Sequence, residues 1–253
     1  MTRTAAFIQA RMSSSRLPGK VLQPLSGLPL IVYMAQRVSH ARLLDEVVVV
    51  TSTDRSDDVL ADAVVAAGVK VFRGDLDDVL QRFADAAQAF GVDEIVRLTG
   101  DCPLMDPALV DAVVALRRSQ ASDYASNVAP PSFPDGMDVE CFTRATLDRA
   151  QREARRRSER EHVTLWMRSD EVVLRRANLS GPVDLSALRL TVDYADDLAL
   201  VRRLVDGLAM RVDFDLFDIL RALWQIPDPH ALNPHQRNEG LARSLAAEQT
   251  RQP

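Results

Sequence analysis

Gln9-Ala10-Arg11-Met12-Ser13-Ser14-Ser15-Arg16-Leu17-Pro18-Gly19-Lys20 is the stretch on which the reading of this chain turns. It follows Ala5-Ala6-Phe7-Ile8, an unbroken apolar run that reads as a short strand buried on both faces. Within the stretch, Arg11, Arg16 and Lys20 supply positive charge, and three serines stand in a row. Pro18-Gly19 sets a turn directly before Lys20, because proline presets φ and glycine reaches conformations closed to other residues. Small residues let backbone N–H groups approach an anion, and the cations add charge-assisted hydrogen bonds to a polyphosphate. A solvated basic loop is the plainer alternative. The stretch is not a Walker A loop, since Val21 follows Lys20 and no glycine opens it. Nor is it a dinucleotide fingerprint, which needs three spaced glycines.

Outward from the loop, elements alternate. A helix is expected from Gly27 to about His40, and the β-branched run Glu46–Ser52 reads as a buried parallel strand. A helix over 56–67 follows, with Ser56 as its N-cap and Gly68 as its stop, then a strand at 69–72. Residues 75–90 form an amphipathic pattern ended by Gly91, Glu94–Thr99 a fourth strand, and a helix opens near Pro107. This alternation predicts an α/β fold with a mostly parallel, mixed sheet and helices on both faces. Beyond about Ser119 the rhythm changes. Strands are expected at 122–127, 172–178 and 188–193, and helical stretches at 143–157, 158–167, 196–207, 216–224 and 236–247. One domain over 1–253, with an inserted arm at about 125–180, fits better than two.

At 253 residues, 47% hydrophobic and 26% charged, the composition is that of an ordinary globular protein. A net charge of −5 argues against a general nucleic-acid binder. No run approaches the ~18 apolar residues of a membrane span, and the N-terminus has no signal-peptide pattern, so a cytoplasmic protein is expected. Cys102 and Cys141 are too few for a zinc site or a disulfide scaffold.

Two carboxylates stand out. Asp101 directly follows the strand 94–99, and Asp193 follows Leu188-Arg189-Leu190-Thr191-Val192, so both belong at strand ends, where open α/β sheets bind ligands. Gly100 permits close backbone approach beside Asp101. Magnesium takes a few carboxylates plus phosphate oxygens and waters, which two such ends facing a basic loop would provide. A helix N-cap is the alternative role for Asp101.

The loop pattern Ala-Arg-x-x-Ser-x-Arg-Leu-Pro-Gly-Lys resembles the N-terminal signature of the cytidylyltransferases that make CMP-activated sugar acids. It is most similar to their SpsF-type, spore-coat polysaccharide branch, whose loop begins Gln-Ala-Arg-Met. Gly100-Asp101-Cys102-Pro103 resembles the family's Gly-Asp-x-Pro element, and Leu190-Thr191-Val192-Asp193-Tyr194-Ala195-Asp196-Asp197-Leu198 its late Val-Asp-x-x-x-Asp element. The resemblance covers roughly residues 4–200. It implies a Rossmann-like nucleotidyltransferase fold, Mg2+ held by Asp101 and Asp193, and a homodimer. It also implies that Gln9, Ala10, Arg11, Ser14, Arg16, Lys20, Gly100 and Asp101 bind the nucleotide. By similarity of Phe72-Arg73-Gly74 to the segment after the third strand, Arg73 is a candidate contact for cytosine or phosphate. Asp135, Asp138 and Glu140 of Pro134-Asp135-Gly136-Met137-Asp138-Val139-Glu140, and Glu161 and His162 of Arg160-Glu161-His162-Val163-Thr164, are candidates for orienting the acceptor.

The expected reaction is transfer of CMP from CTP to an acidic sugar of nonulosonic-acid type, with release of pyrophosphate and Arg11, Lys20, Asp101 and Asp193 as catalytic residues. Two alternatives remain at this point: a glycosyltransferase using a nucleotide sugar, and a cytidylyltransferase acting on a non-sugar acid such as a phosphonate.

Overall fold

A computed structural model describes residues 2–209, 211–227, 235, 237 and 239–249, with only the backbone of 243 and 247. Strand β1 (Thr4–Gln9) carries the apolar run that precedes the loop. Consecutive strand residues point to opposite faces. Accordingly, Ala6 and Ile8 enter one core while Ala5 and Phe7 enter the other, all fully buried. An unbroken apolar run is what a strand covered on both sides requires.

After the loop come a single 3-10 turn at Lys20–Leu22, a short hairpin of β2 (Pro24–Leu25) and β3 (Leu28–Pro29), and helix α1 (Leu30–Val38). There follow β4 (Glu46–Ser52), α2 (Asp58–Ala66), β5 (Lys70–Gly74), α3 (Val79–Ala89), β6 (Glu94–Thr99) and α4 (Pro107–Ser119). The later chain adds β7 (Tyr124–Ser126), β8 (Glu140–Thr143), α5 (Arg144–Glu153), α6 (Arg157–Glu161), α7 (Leu165–Arg168) and β9 (Arg176–Asn178). Helices α8 (Ala195–Gly207), α9 (Leu216–Trp224) and α10 (Glu239–Gln249) complete it.

Seven strands form one sheet in the order β5-β4-β1-β6-β8-β7-β9. All run parallel except β8, which pairs antiparallel with both neighbours. Residues of α1, α4, α8 and α9 fill one core, and those of α3, α5 and α7 fill the other. The expected α/β class, mixed sheet and two covered faces are therefore observed. The chain leaves β1 towards β4 and β5, then returns past it to β6. The carboxyl ends of β1 and β6 thus flank a reversal of strand order, the usual place for a ligand crevice. Because β8 runs the other way, its first residue, Glu140, lies at that same end.

Several boundaries differ from the sequence reading for local reasons. Ser56 does not cap α2. Instead the Asp54 carboxylate accepts the Ser56 N–H at 2.8 Å and starts a separate turn. Helix α3 begins at Val79, because Asp75 accepts the N–H groups of Asp77 and Asp78, while Asp78 caps Gln81. The arginine-rich stretch breaks into α5 and α6, where extended Ala154 intervenes and Glu159 reaches back to the N–H groups of Arg155 and Arg156. Residues 188–193 do not form a strand; one parallel bridge joins Asp135 to Arg189, and the side chains serve a polar cluster. Helix α10 is described over Glu239–Gln249, and the expected start at 236 lies outside the described residues.

Candidate active site

The loop is held by its own backbone and by one buried acid. The Met12 carbonyl accepts the N–H of Ser14 at 2.9 Å and of Gly19 at 3.0 Å. Gly19 has φ +70°, a conformation that favours glycine. The Met12 N–H donates to Asp57 Oδ1 at 2.7 Å, and the other Asp57 oxygen takes the Ser52 hydroxyl at 2.5 Å. Asp57 is fully buried, so the loop is tied to the end of β4. At Gly100, a Cβ would lie 3.0 Å from Gln9 O and from Ala10 Cβ, so glycine allows the ends of β1 and β6 to meet. The result is a cavity of about 420 Å³ into which Arg11, Ser14, Arg16, Lys20, Gly100 and Asp101 face.

At its floor, Lys20 joins the two expected metal carboxylates. Its Nζ donates to Asp101 Oδ2 at 3.0 Å, to Asp193 Oδ1 at 2.8 Å and to the Val192 carbonyl at 2.8 Å. Burial alone would lower the Lys20 pKa, but Asp101 and Asp193 outweigh it and the net shift is upward. Burial likewise works against ionised Asp101, but Lys20 outweighs it and holds the carboxyl well below the usual range. Arg16 adds a contact to Asp193 at 2.6 Å and lies 5.4 Å over the Tyr194 ring. On the far side, Arg189 reaches Asp135 at 2.7 Å, Asp193 at 3.0 Å and Asp197 at 3.1 Å. Asp197 also accepts the N–H groups of Asp193 and Tyr194, opening α8 and fixing Asp193.

The donor set fits a hard divalent cation. Two carboxylates converge on one position that already holds a cationic nitrogen. Among the described residues no group of three or more His, Cys, Asp or Glu side chains is placed to cage a metal. Two carboxylates are what an ion such as magnesium uses when it takes the rest of its shell from phosphates and water.

A second cavity of about 180 Å³ adjoins the first, sharing Arg16, Arg97, Thr99, Asp101, His162 and Gly240 with it. It brings in three of the five expected acceptor residues, Asp135, Asp138 and Glu140, with His162 at the junction. Glu161 lines only the larger cavity, 3.8 Å from Arg11. Burial pushes Asp138 up to about 7, although Arg237 pairs with it. Burial also raises Asp135, against the pull of Arg189. Glu140 moves the other way: Arg97 and Arg168 overcome its burial, and it accepts the Tyr124 hydroxyl at 2.6 Å. Burial, then Arg97, lowers His162 below its ordinary value, so its imidazole is neutral at pH 7.

Arg73 is not brought to the site. Its guanidinium donates to the Ser52 carbonyl at 2.8 Å and to Asp58 at 2.6 Å, tying β5 to α2, and it lines neither cavity. The sequence reading missed Arg97, Arg168, Arg189 and Arg237, which line the smaller cavity, and Gly240 and Ser244 of the C-terminal region. Arg97 carried a signal, a charge inside the otherwise apolar Ile95-Val96-Arg97-Leu98. Arg189 carried one too, four residues before Asp193. Arg168 and Arg237 carried none.

A basic loop at a strand reversal, two carboxylates at its floor and an adjoining polar cavity have the make-up of a nucleotide-transferase site. The profile of the family described as Cytidylyltransferase matches residues 5–200, and the chain belongs to that family. The chain is similar to the spore coat polysaccharide biosynthesis protein SpsF of Bacillus subtilis, 34% identical over 88% of this chain and 94% of that protein. The structure of a cytidylyltransferase from Leptospira borgpetersenii superposes with a TM-score of 0.86 at 30% identity, covering 93% of this chain and 99% of that one. The structure of a CMP:2-keto-3-deoxy-manno-octonic acid synthetase complexed with CTP shares the fold, with a TM-score of 0.64 at 20% identity, covering 82% of this chain and all of that one (100%). Family membership decides for nucleotidyl transfer over glycosyl transfer.

Proposed function

We propose that this protein transfers CMP from CTP to a hydroxyl of an acidic sugar of nonulosonic-acid type, in the synthesis of a surface polysaccharide. The observation that carries this reading is the Lys20–Asp101–Asp193 cluster standing where the two cavities meet. The larger cavity takes the nucleotide. The Gln9-Ala10 backbone, Arg11 and Ser14 read the base, and Arg16 and Lys20 turn from Asp193 and Asp101 towards the triphosphate. That exchange leaves both carboxylates available to magnesium, which supplies Lewis-acid polarisation of the α-phosphate when bound.

The acceptor hydroxyl, oriented by Asp135, Asp138, Glu140 and His162 with Glu161 at the rim, attacks the α-phosphorus. A new P–O bond forms as the bond to the β-phosphate oxygen breaks. Pyrophosphate leaves on Arg11, Arg16 and Lys20, and the hydroxyl proton passes to solvent. Positioning and charge stabilisation account for the rate, since no protein nucleophile is needed. Residues 1–253 are read as one catalytic domain, in which about 125–180 supplies the acceptor side and the contact with a second copy in a cytoplasmic homodimer. The test is pyrophosphate release from CTP and magnesium with a panel of sugar acids. Release dependent on both CTP and an acid supports the reading; breakdown of a nucleotide sugar without pyrophosphate release overturns it.

A further inference from the structure

In the smaller cavity, Arg16, Arg97, Arg189 and Arg237 are each held by a carboxylate: Asp193, Glu140, Asp135 and Asp138 respectively. Arg168 differs. It lines the same cavity, yet among the described residues its guanidinium is in no ion pair and its Nε is buried with no hydrogen-bond partner. One more buried nitrogen bordering this cavity has no partner, His162 Nε2. Buried polar groups in native structures are nearly always satisfied, so two orphaned nitrogens in one cavity mark the place of a missing partner. Arg168 can only donate, and His162 Nε2 donates in the tautomer that carries the proton there, so one acceptor of hydrogen bonds satisfies both.

The segment between them is held under strain. Val163, β-branched and fully buried, has φ +46°, a conformation that such residues rarely adopt. Buried Trp166 and Met167 anchor α7 in the core on its far side. Strain of this kind persists where surrounding packing enforces it, and it clusters at ligand sites. Here it turns His162 and Arg168 to one cavity. Burial works against the Arg168 charge, but Glu140, then the Tyr124 hydroxyl and Asp138, outweigh it. Glu140 does not repel an incoming anion strongly, because Arg97 and the Tyr124 hydroxyl already engage its two oxygens.

We propose that Arg168 binds the carboxylate of the acidic acceptor, with the His162 Nε2–H as a second donor to the same group; this rests on the acceptor-site reading above. The planar guanidinium fork matches a planar carboxylate. A phosphate would bring further negative charge into a cavity already lined by Asp135, Asp138 and Glu140.

The test is calorimetric titration of protein saturated with the α,β-methylene analogue of CTP. The probes are 2-keto-3-deoxy-manno-octonate and gluconate, each compared with the carbinol in which hydroxymethyl replaces the carboxylate. At least one acid is expected to bind wild type more tightly than its carbinol. Arg168→Gln is expected to lose roughly ten- to hundredfold in that affinity, the worth of a charged hydrogen bond, and Arg168→Lys is expected to recover part of it. Unchanged binding of the CTP analogue reports that both variants are folded. Acid binding that survives Arg168→Gln, carbinols that bind as well as acids, or no response to either acid overturns the assignment and leaves the nucleotide reading standing. Failure of wild type to bind the CTP analogue overturns the nucleotide reading and this assignment with it.

Discussion

Lys20 shows how much one side chain settles. Its ammonium pairs with Asp101 and Asp193 together; removing it leaves Asp101 without its cation while Arg16 and Arg189 still hold Asp193, and breaking such a buried pair costs roughly 3–5 kcal/mol. Lys20→Ala is therefore expected to lower the unfolding midpoint and to weaken CTP binding; unchanged CTP affinity by titration would count against the phosphate-loop reading. Asp101→Asn and Asp193→Asn are expected to leave folded protein that has lost roughly a thousandfold or more in turnover, the scale of several kcal/mol at the transition state. Pyrophosphate release near the wild-type rate in both would remove the metal assignment. Asp138 adds a pH dependence. Its folded pKa of about 7 lies above the unfolded value of about 3.9, so its contribution to stability is full below the unfolded value and falls as pH rises through 7. Asp138→Asn removes that titration, so the melting temperature of the variant relative to wild type is expected to rise between pH 5 and pH 8. A flat difference would mean that Asp138 titrates normally. At this scale the sequence was legible where residue types sat together: Lys20 follows a Pro-Gly turn, and Asp101 follows a strand. Arg73 looked equivalent but binds carbonyls of its own sheet edge, because nothing in its neighbours tells which side of β5 it leaves. Arg168 and Arg237 enter the site from segments whose placement only the folded chain defines.

At the scale of elements, what positions Asp193 is a close backbone crossing rather than a strand. Gly136 has φ +101°, and a Cβ there would lie 2.7 Å from the Leu190 carbonyl carbon and the Thr191 nitrogen. The contact atoms are backbone and cannot swing aside. Gly136→Ala is therefore expected to cost more than the roughly 1–3 kcal/mol of conformational strain alone, and to displace 190–193 so that CTP binding weakens as well. Gly68→Ala is the control, since Gly68 has φ +73° with open space around it and should show strain without any loss of CTP binding. Denaturant unfolding and titration of both variants separate the two effects; equal behaviour would mean that the crossing does not govern the site. Periodicity made β4, β6 and α9 legible to the residue, because buried β-branched runs and an apolar helical stripe mark themselves. It misread 188–193 as a strand, because the alternation of Arg189, Thr191 and Asp193 with Leu190 and Val192 is the pattern of an edge strand. Here that alternation instead sends the polar side chains to Asp135, Asp101 and Lys20.

For the whole molecule, the order β5-β4-β1-β6 brings the loop after β1 and Asp101 after β6 to one edge of the sheet, and the reversed β8 delivers Glu140 beside them. The C-terminal region, beyond the part matched by the family, closes over the same edge. Gly240 and Ser244 line the larger cavity, and Glu248 takes the Ser158 N–H at 2.5 Å and its hydroxyl at 2.8 Å, clasping α10 to α6. No helix among the described residues is long and apolar enough to cross a membrane. The site is thus assembled from both ends of the chain, and ligand binding should be felt as global stability. A nucleotide at ~100 times its dissociation constant stabilises the native state by about 2.7 kcal/mol, which in a chain of this size moves the melting temperature by roughly 5–10 °C. With magnesium present, CTP is expected to produce that shift while UTP, ATP and GTP produce little, because in the proposed function the base is read by fixed backbone at Gln9 and Ala10 rather than by an adaptable surface. Glu248→Ala loosens the clasp without touching either cavity, and is expected to lower the unliganded stability by about 1 kcal/mol and to shrink the CTP shift. Equal shifts with all four nucleotides would assign the loop to phosphates alone and move base recognition elsewhere. A full CTP shift in Glu248→Ala would mean that the C-terminal helix covers the site without contributing to it.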